Sequence, residues 1–236
     1  PFDLSAQIDL SDAHQWGDAQ AVIAGNLEQM NIQIHAMQSV TKRELTLQLQ
    51  PFATNPVTQF HAVLERLNPA SFISDAPHAS LSVTANLTRN ESGQLEGKVL
   101  LENQAATTLN NGGLPFSAIS AQARITAEVL QLQDIHAQIK PGEIVSGDLI
   151  WQLEEASGIA NLLVSKVNPQ HIDSRIRTAQ VSGKISLEGN AQKQSARVNL
   201  KDSSISFNAA ITRSDGRVTL EQFQLQRNKS QLTGQG

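Results

Sequence analysis

Apolar and polar residues alternate with a period of two along most of this chain. The segments Phe2-Leu4-Ala6-Ile8-Leu10, Leu45-Leu47-Leu49, Leu81-Val83-Ala85-Leu87, Ile119-Ala121-Ala123-Ile125, Leu149-Trp151-Leu153, Ile185-Leu187 and Ile205-Phe207-Ala209-Ile211 each put one apolar file on one face of an extended strand. Turn signals separate them: Ser92-Gly93, Asn110-Asn111-Gly112-Gly113, Pro141-Gly142, Gly189-Asn190 and Asp215-Gly216. Asp215-Gly216, between Ile211 and Val218, is the best short hairpin, because glycine accepts the positive φ of a tight turn. At a usual strand length of roughly 5 to 6 residues, the pattern predicts roughly 14 to 18 strands.

A finer pattern breaks the alternation. Leu27 to Ile32, Leu132 to Ala137 and Leu220 to Leu225 have apolar residues at their first, fourth and sixth positions, with two polar residues in succession between. Such an interruption predicts a bulge or sharp bend, and bends at equivalent places would curl a sheet into a trough.

The segment from Leu64 to Leu87 recurs without a gap as Val164 to Leu187. Asn68-Pro69, Ser74, Ala79, Ser82 and Leu87 are matched by identical residues at 168-169, 174, 179, 182 and 187, and Leu64, Leu67, Phe72, Leu81 and Ala85 by Val164, Val167, Ile172, Val181 and Ile185. The matched positions are packing positions, which points to an extended surface built by iteration of small sheets. The chain is therefore read as one continuous unit over 1–236, with repeats at about 45–148 and 149–236 and 1–44 ending a preceding one. Val57 to Leu67 has helical apolar spacing that Asn68-Pro69 would stop, but 162–167 reads equally as strand. If the copies share one structure, strand holds in both. After each Asn-Pro, 70–74 and 170–174 are expected to make one short helical turn.

Composition fits one β architecture. With no Cys, no Tyr and two Trp, aromatic side chains supply little core, and Ala, Leu, Ile and Val alternate with Gln, Asn, Ser and Thr. That mixture suits a sheet with one dry face and one wet face. The lack of Cys excludes disulfides and thiolate metal sites. A net charge of −4 argues against nucleic acid or a polybasic membrane contact. Residues 1–118 hold five Lys/Arg against eleven Asp/Glu, and 119–236 thirteen against eleven, read as drift among solvated residues. No apolar run approaches the roughly 20 residues of a membrane helix. The chain opens on Pro1-Phe2 inside a strand pattern and stops at Gly234-Gln235-Gly236, so it is read as a piece of a longer protein.

Constellations for chemistry are missing. His14, His35, His61, His78, His136 and His171 are scattered, with no metal-binding spacing. There is no phosphate loop and no nucleophile elbow. Glu154-Glu155 is expected in the turn ending at Gly158 rather than as an acid and base pair. Sequons at Asn86, Asn90 and Asn228 are the number expected by chance in a chain rich in Asn, Ser and Thr. No catalytic residue, cofactor or metal ligand is assigned, and the chain is read as non-enzymatic.

The apolar face itself remains. Its rows, Phe2, Leu4, Ile8, Leu10, Leu45, Leu47, Leu49, Leu81, Val83, Leu87, Ile119, Ile125, Leu149, Trp151, Leu153, Ile185, Leu187, Ile205, Phe207 and Ile211, would be core in a closed sandwich or the lining of an open trough. Many Ala and few large aromatics fill two facing sheets poorly, which an open trough tolerates. A long apolar groove suits acyl chains or another β-strand.

Interrupted alternation, Asn-Pro before a strand, and Gln-Val-Ser-Gly-Lys-Ile-Ser-Leu-Glu-Gly at 180–189 resemble the TamB family of the AsmA-like group. In that family a pattern of alternating apolar residues between two glycines recurs after Asp/Asn-Pro; Val181, Gly183, Ile185, Leu187 and Gly189 match it, while Val83 and Arg89 replace the glycines in the first copy. The resemblance implies a curled antiparallel sheet, the β-taco, with a hydrophobic inner surface. It also implies a periplasmic segment of an inner-membrane-anchored protein of Gram-negative bacteria that acts in outer-membrane biogenesis. The implied cargo is phospholipid or unfolded outer-membrane protein in the groove, with an outer-membrane TamA-like partner docking elsewhere. Two rivals stay open: a repetitive β-solenoid adhesin or passenger that binds through its outer face, and a carbohydrate-active sandwich, which the absence of Tyr disfavours.

Overall fold

The computed structural model describes residues 4–10, 19–36, 42–71, 73–74 and 76–236. Phe2, His14 and Phe72 lie outside them. Among the described residues sixteen strands follow one another: β1 (Leu4–Leu10), β2 (Ala19–Gly25), β3 (Met30–Ala36), β4 (Arg43–Leu49), β5 (Val57–Leu67), β6 (Leu81–Arg89), β7 (Leu95–Asn103), β8 (Ala118–Ile125), β9 (Val129–Gln138), β10 (Ile144–Gln152), β11 (Ser157–Val167), β12 (Val181–Gly189), β13 (Lys193–Lys201), β14 (Ile205–Ser214), β15 (Arg217–Arg227) and β16 (Ser230–Gly234). They form a single antiparallel sheet in strictly sequential order, with β1 and β16 at its two edges among the described residues. The fold is thus all-β and open. Helix is confined, among the described residues, to α1 (Pro169–Ile172) and single 3₁₀ turns at Pro69–Ser71 and Leu109–Asn111.

Register keeps every apolar file on the same face. Ala6, Ile23, Ile32, Leu47, Phe60 and Leu87 are successive cross-strand partners. The same row continues through Gly97, Ala123, Leu132, Leu149, Ala160, Leu187, Ala196, Ile211 and Leu220. At a spacing of roughly 4.8 Å between strands, it runs roughly 65 to 70 Å across the sheet.

Bulges make this possible where the sequence alternation breaks. In β9 the ladder to β10 shifts between Gly147 and Leu149, so that Leu132 and Ile135, three residues apart, face the same side. Asp134 takes a φ of 51° there. Its N–H donates to the Asp148 carboxylate at 3.1 Å. The Leu220 to Leu225 segment bulges likewise against Ala210 and Ile211. Leu27 to Ile32 does otherwise: it is the β2–β3 turn, with β3 starting only at Met30. Asn26 accounts for the difference, because its side-chain oxygen accepts the N–H groups of Glu28 and Gln29, both at 2.9 Å, and closes the chain on itself.

Curling has a second source in mid-strand glycines. A Cβ on Gly147 would stand 2.0 Å from the Asn161 carbonyl oxygen, and one on Gly183 would meet the Asn199 oxygen at 2.0 Å. The neighbouring backbone passes too close for any side chain, as at a sharp bend. Asp215 and Gly216, with φ of 53° and 74°, make the expected two-residue hairpin between β14 and β15.

The two margins of the sheet differ. Short turns join β6 to β7, β8 to β9 and β10 to β11, whereas the opposite margin carries the long connections 68–80, 104–117 and 168–180. These long segments are tied together: the His78 N–H donates to the Gly112 oxygen at 2.8 Å. Asn110 exchanges two hydrogen bonds, each of 2.9 Å, with Ser174. Beneath them lies closed packing, where Ile139, Val164 and Val167 are buried against Phe116, Val145, Ile172, Val181, Ile185 and Leu200.

Candidate functional site: the apolar face

Away from that cluster the apolar face is not a closed core. The residues buried along it are small, Ala19, Ala21, Ala62, Ala85, Ala123, Ala160 and Ala209, with Leu87 the large exception in mid-row. Most of the large ones stay half-buried, and Ile8 and Leu187 keep 45% and 39% of their surface. Among the described residues no large side chain is fully enclosed. Small residues sink between larger neighbours on a concave wall, while the larger ones still face solvent.

The register brings the predicted lining together. Leu45, Leu47 and Leu49 share the face with Met30, Ile32 and Ile34. Leu81, Val83 and Leu87 meet Leu67, Leu64 and Phe60. Ile119 and Ile125 pair with Leu101 and Leu95. Leu149 and Trp151 oppose Ala160 and Gly158, and Ile185 and Leu187 oppose Leu162 and Ala160. Phe207 and Ile211 oppose Leu200 and Ala196, and Ile205 opposes Arg227. Phe207 also meets Phe223 edge to face, with ring centroids 5.7 Å apart. Leu4 and Leu10 belong to β1. Leu153 departs from the expectation. It has left β10 for the turn and is 43% exposed, because Glu154 and Glu155 extend that turn. Its N–H bonds the Glu128 oxygen at 2.7 Å, beside the short-turn margin.

Near this margin the face dips into a depression of about 430 Å³ lined by Leu149, Trp151, Ala160, Leu187, Ile211 and Arg213. The Trp151 ring lies over Gly158, where a Cβ would come within 2.5 Å of its Cε3. Gly189, paired with Gly158, leaves the floor bare. The opposite face is mainly polar but not wholly so. Ile150 and Ile159, directly paired, are 42% and 50% exposed, beside a depression of about 630 Å³ that Glu188, Arg197 and Glu221 also line.

Charge on the apolar face is restricted in a way the sequence reading missed. By register, its charged residues are Arg43, Arg89, Arg213 and Arg227, each at a strand end, and no Asp or Glu of a described strand shares the face. The signal was available, since Arg213 and Arg227 sit two places beyond Ile211 and Leu225 and continue their alternation. Arg89 is engaged by the β4–β5 turn, donating to the Asn55 oxygen at 2.7 Å and to the Gln50 side chain.

His61 contacts Asn86, and His171 contacts Glu143 at 2.7 Å. No three potential metal ligands cluster among the described residues. No helix of the described residues is long and apolar enough to cross a membrane. No protein-family model matches the chain, and no curated protein and no solved structure matches it significantly.

Proposed function

We propose that this chain is a segment of a TamB-like periplasmic protein of outer-membrane biogenesis whose apolar trough shields phospholipid acyl chains, or unfolded outer-membrane strands, from water. The observation that carries the reading is the apolar row from Ala6 to Leu220, continuous over fifteen strands with most of its large members half-exposed. Each methylene laid on such a wall gains about 0.8 kcal/mol, with no need for a particular head group, so that cargo slides. The antiparallel meander favours this over a solenoid adhesin, whose coils stack in register.

Paired substitutions on the two faces test it. Leu187→Asp and Phe207→Arg put an unpaired charge among the apolar rows, while Lys184→Glu and Asn208→Arg put one on the other face. The first pair is expected to lose lipid uptake by the isolated chain and outer-membrane integrity in the full-length protein, the second to keep both. Circular dichroism separates loss of function from loss of fold. Folded Leu187→Asp and Phe207→Arg proteins with full uptake would overturn the reading.

A further inference from the structure

An apolar wall that carries charge of one sign selects the polar end of its cargo. We propose that the depression between Trp151 and Arg213 seats an anionic phospholipid, its chain along Leu149, Leu187 and Ile211 and its phosphate on the Arg213 guanidinium, so that the trough prefers anionic to zwitterionic lipid. This rests on the trough reading above and adds a head-group preference to it.

Three observations converge. Arg213 sits on the apolar face in register with Gln194 and Val218, one residue pair outward from Ile211, where a chain lying in the depression would end. It has no hydrogen bond or ion pair among the described residues, unlike Arg89, and unlike Arg227, whose charge acts on Asp202. No carboxylate of a described strand shares the face to neutralise it. Glu188 borders the depression, but its partners Ile159 and Ser195 put it on the other side of the sheet. A zwitterionic head group brings a cation of its own beside the exposed Arg213, whereas the phosphate of an anionic one accepts the two parallel N–H groups of the guanidinium with no competing charge. The Trp151 indole at the other end of the depression offers an apolar ring with a polar edge, suited to the boundary of an acyl layer.

The test incubates the chain with vesicles of pure palmitoyl-oleoyl phosphatidylglycerol or pure palmitoyl-oleoyl phosphatidylcholine, re-isolates the protein and counts bound phosphorus. Anionic lipid should be captured in excess, and the excess should shrink as salt rises. Arg213→Gln should lower phosphatidylglycerol capture about three- to tenfold, to the phosphatidylcholine level, as expected for one charge-assisted contact at the surface. Arg213→Lys should keep part of the excess, and Arg217→Gln, on the opposite face, all of it. Equal capture of the two lipids by the wild type, or equal behaviour of Arg213→Gln and Arg217→Gln, would overturn the head-group proposal and leave the trough standing. Capture of neither lipid would overturn both.

Discussion

The side-chain oxygen of Asn168 accepts the backbone N–H of Ala179 at 3.3 Å, and one hundred residues earlier Asn68 holds Ala79 at the same distance. Each asparagine also accepts the N–H two residues on, from Gln170 at 3.1 Å and from Ala70 at 3.3 Å. The strands before them end alike. Ladder shifts fall at Leu64/Leu67 and Val164/Val167, with Arg66 and Lys166 at φ of 54° and 53°. The side chain thus pins both ends of a long connection to the exit of a bulged strand.

Asn168→Ala removes that acceptor from a site only 9% exposed, leaving two N–H groups without their partner. A loss of about 1–3 kcal/mol is expected, read as a lower urea midpoint and faster amide exchange at Gln170 and Ala179. Asn68→Ala should behave alike at Ala70 and Ala79. A large effect in one copy with none in the other would show that the two sites are not equivalent.

Gly183→Ala should be far worse than Gly142→Ala. The first methyl group strikes backbone at 2.0 Å, while the second, at φ 83°, meets open space. Gly142→Ala is expected to lose about 1 kcal/mol from its left-handed backbone alone. Gly183→Ala should lose about 2–4 kcal/mol, because β12 and β13 must separate. Thermal unfolding of the two variants side by side decides it.

Asp173 should titrate near pH 2. The Arg175 guanidinium, donating to both carboxylate oxygens, and the Arg175 N–H hold it at about 2, below its ordinary 3.8. A carboxylate depressed on folding supports the fold fully above its ordinary range and loses that support as pH falls toward 2. Carbon-13 NMR of the carboxyl group reads the midpoint directly, and Arg175→Gln should return it toward the ordinary range. The Arg175 partner is exposed to solvent, so overall stability at neutral pH should barely change.

Ala196→Phe fills the depression between Leu187 and Ile211 without a charge. Room at this half-buried site should let the sheet form with its circular dichroism unchanged, while lipid capture falls severalfold. Full capture would place the cargo elsewhere on the face.

Strand existence and facing were legible in the sequence because period-two alternation maps directly onto the two sides of a pleated sheet. Bulges at Leu132 and Leu220 were legible too, since two polar residues in succession cannot keep their neighbours on one side without one. At Leu27 the same pattern meant a turn, because Asn26 and Gly25 precede it; Gly25 takes a φ of 138°. Order along the sheet was hidden, because it depends on which strands meet, and cross-strand register is not written in any one segment.

Sequential strand order gives the molecule a modular length. Each strand bonds only to its predecessor and successor, so hairpins could be added or removed without redesigning the cross-section. One hairpin is worth roughly 9 to 10 Å of sheet. The number of strands then acts as a ruler, and deleting β12 and β13 together should bring the two edges of the sheet closer by about that distance.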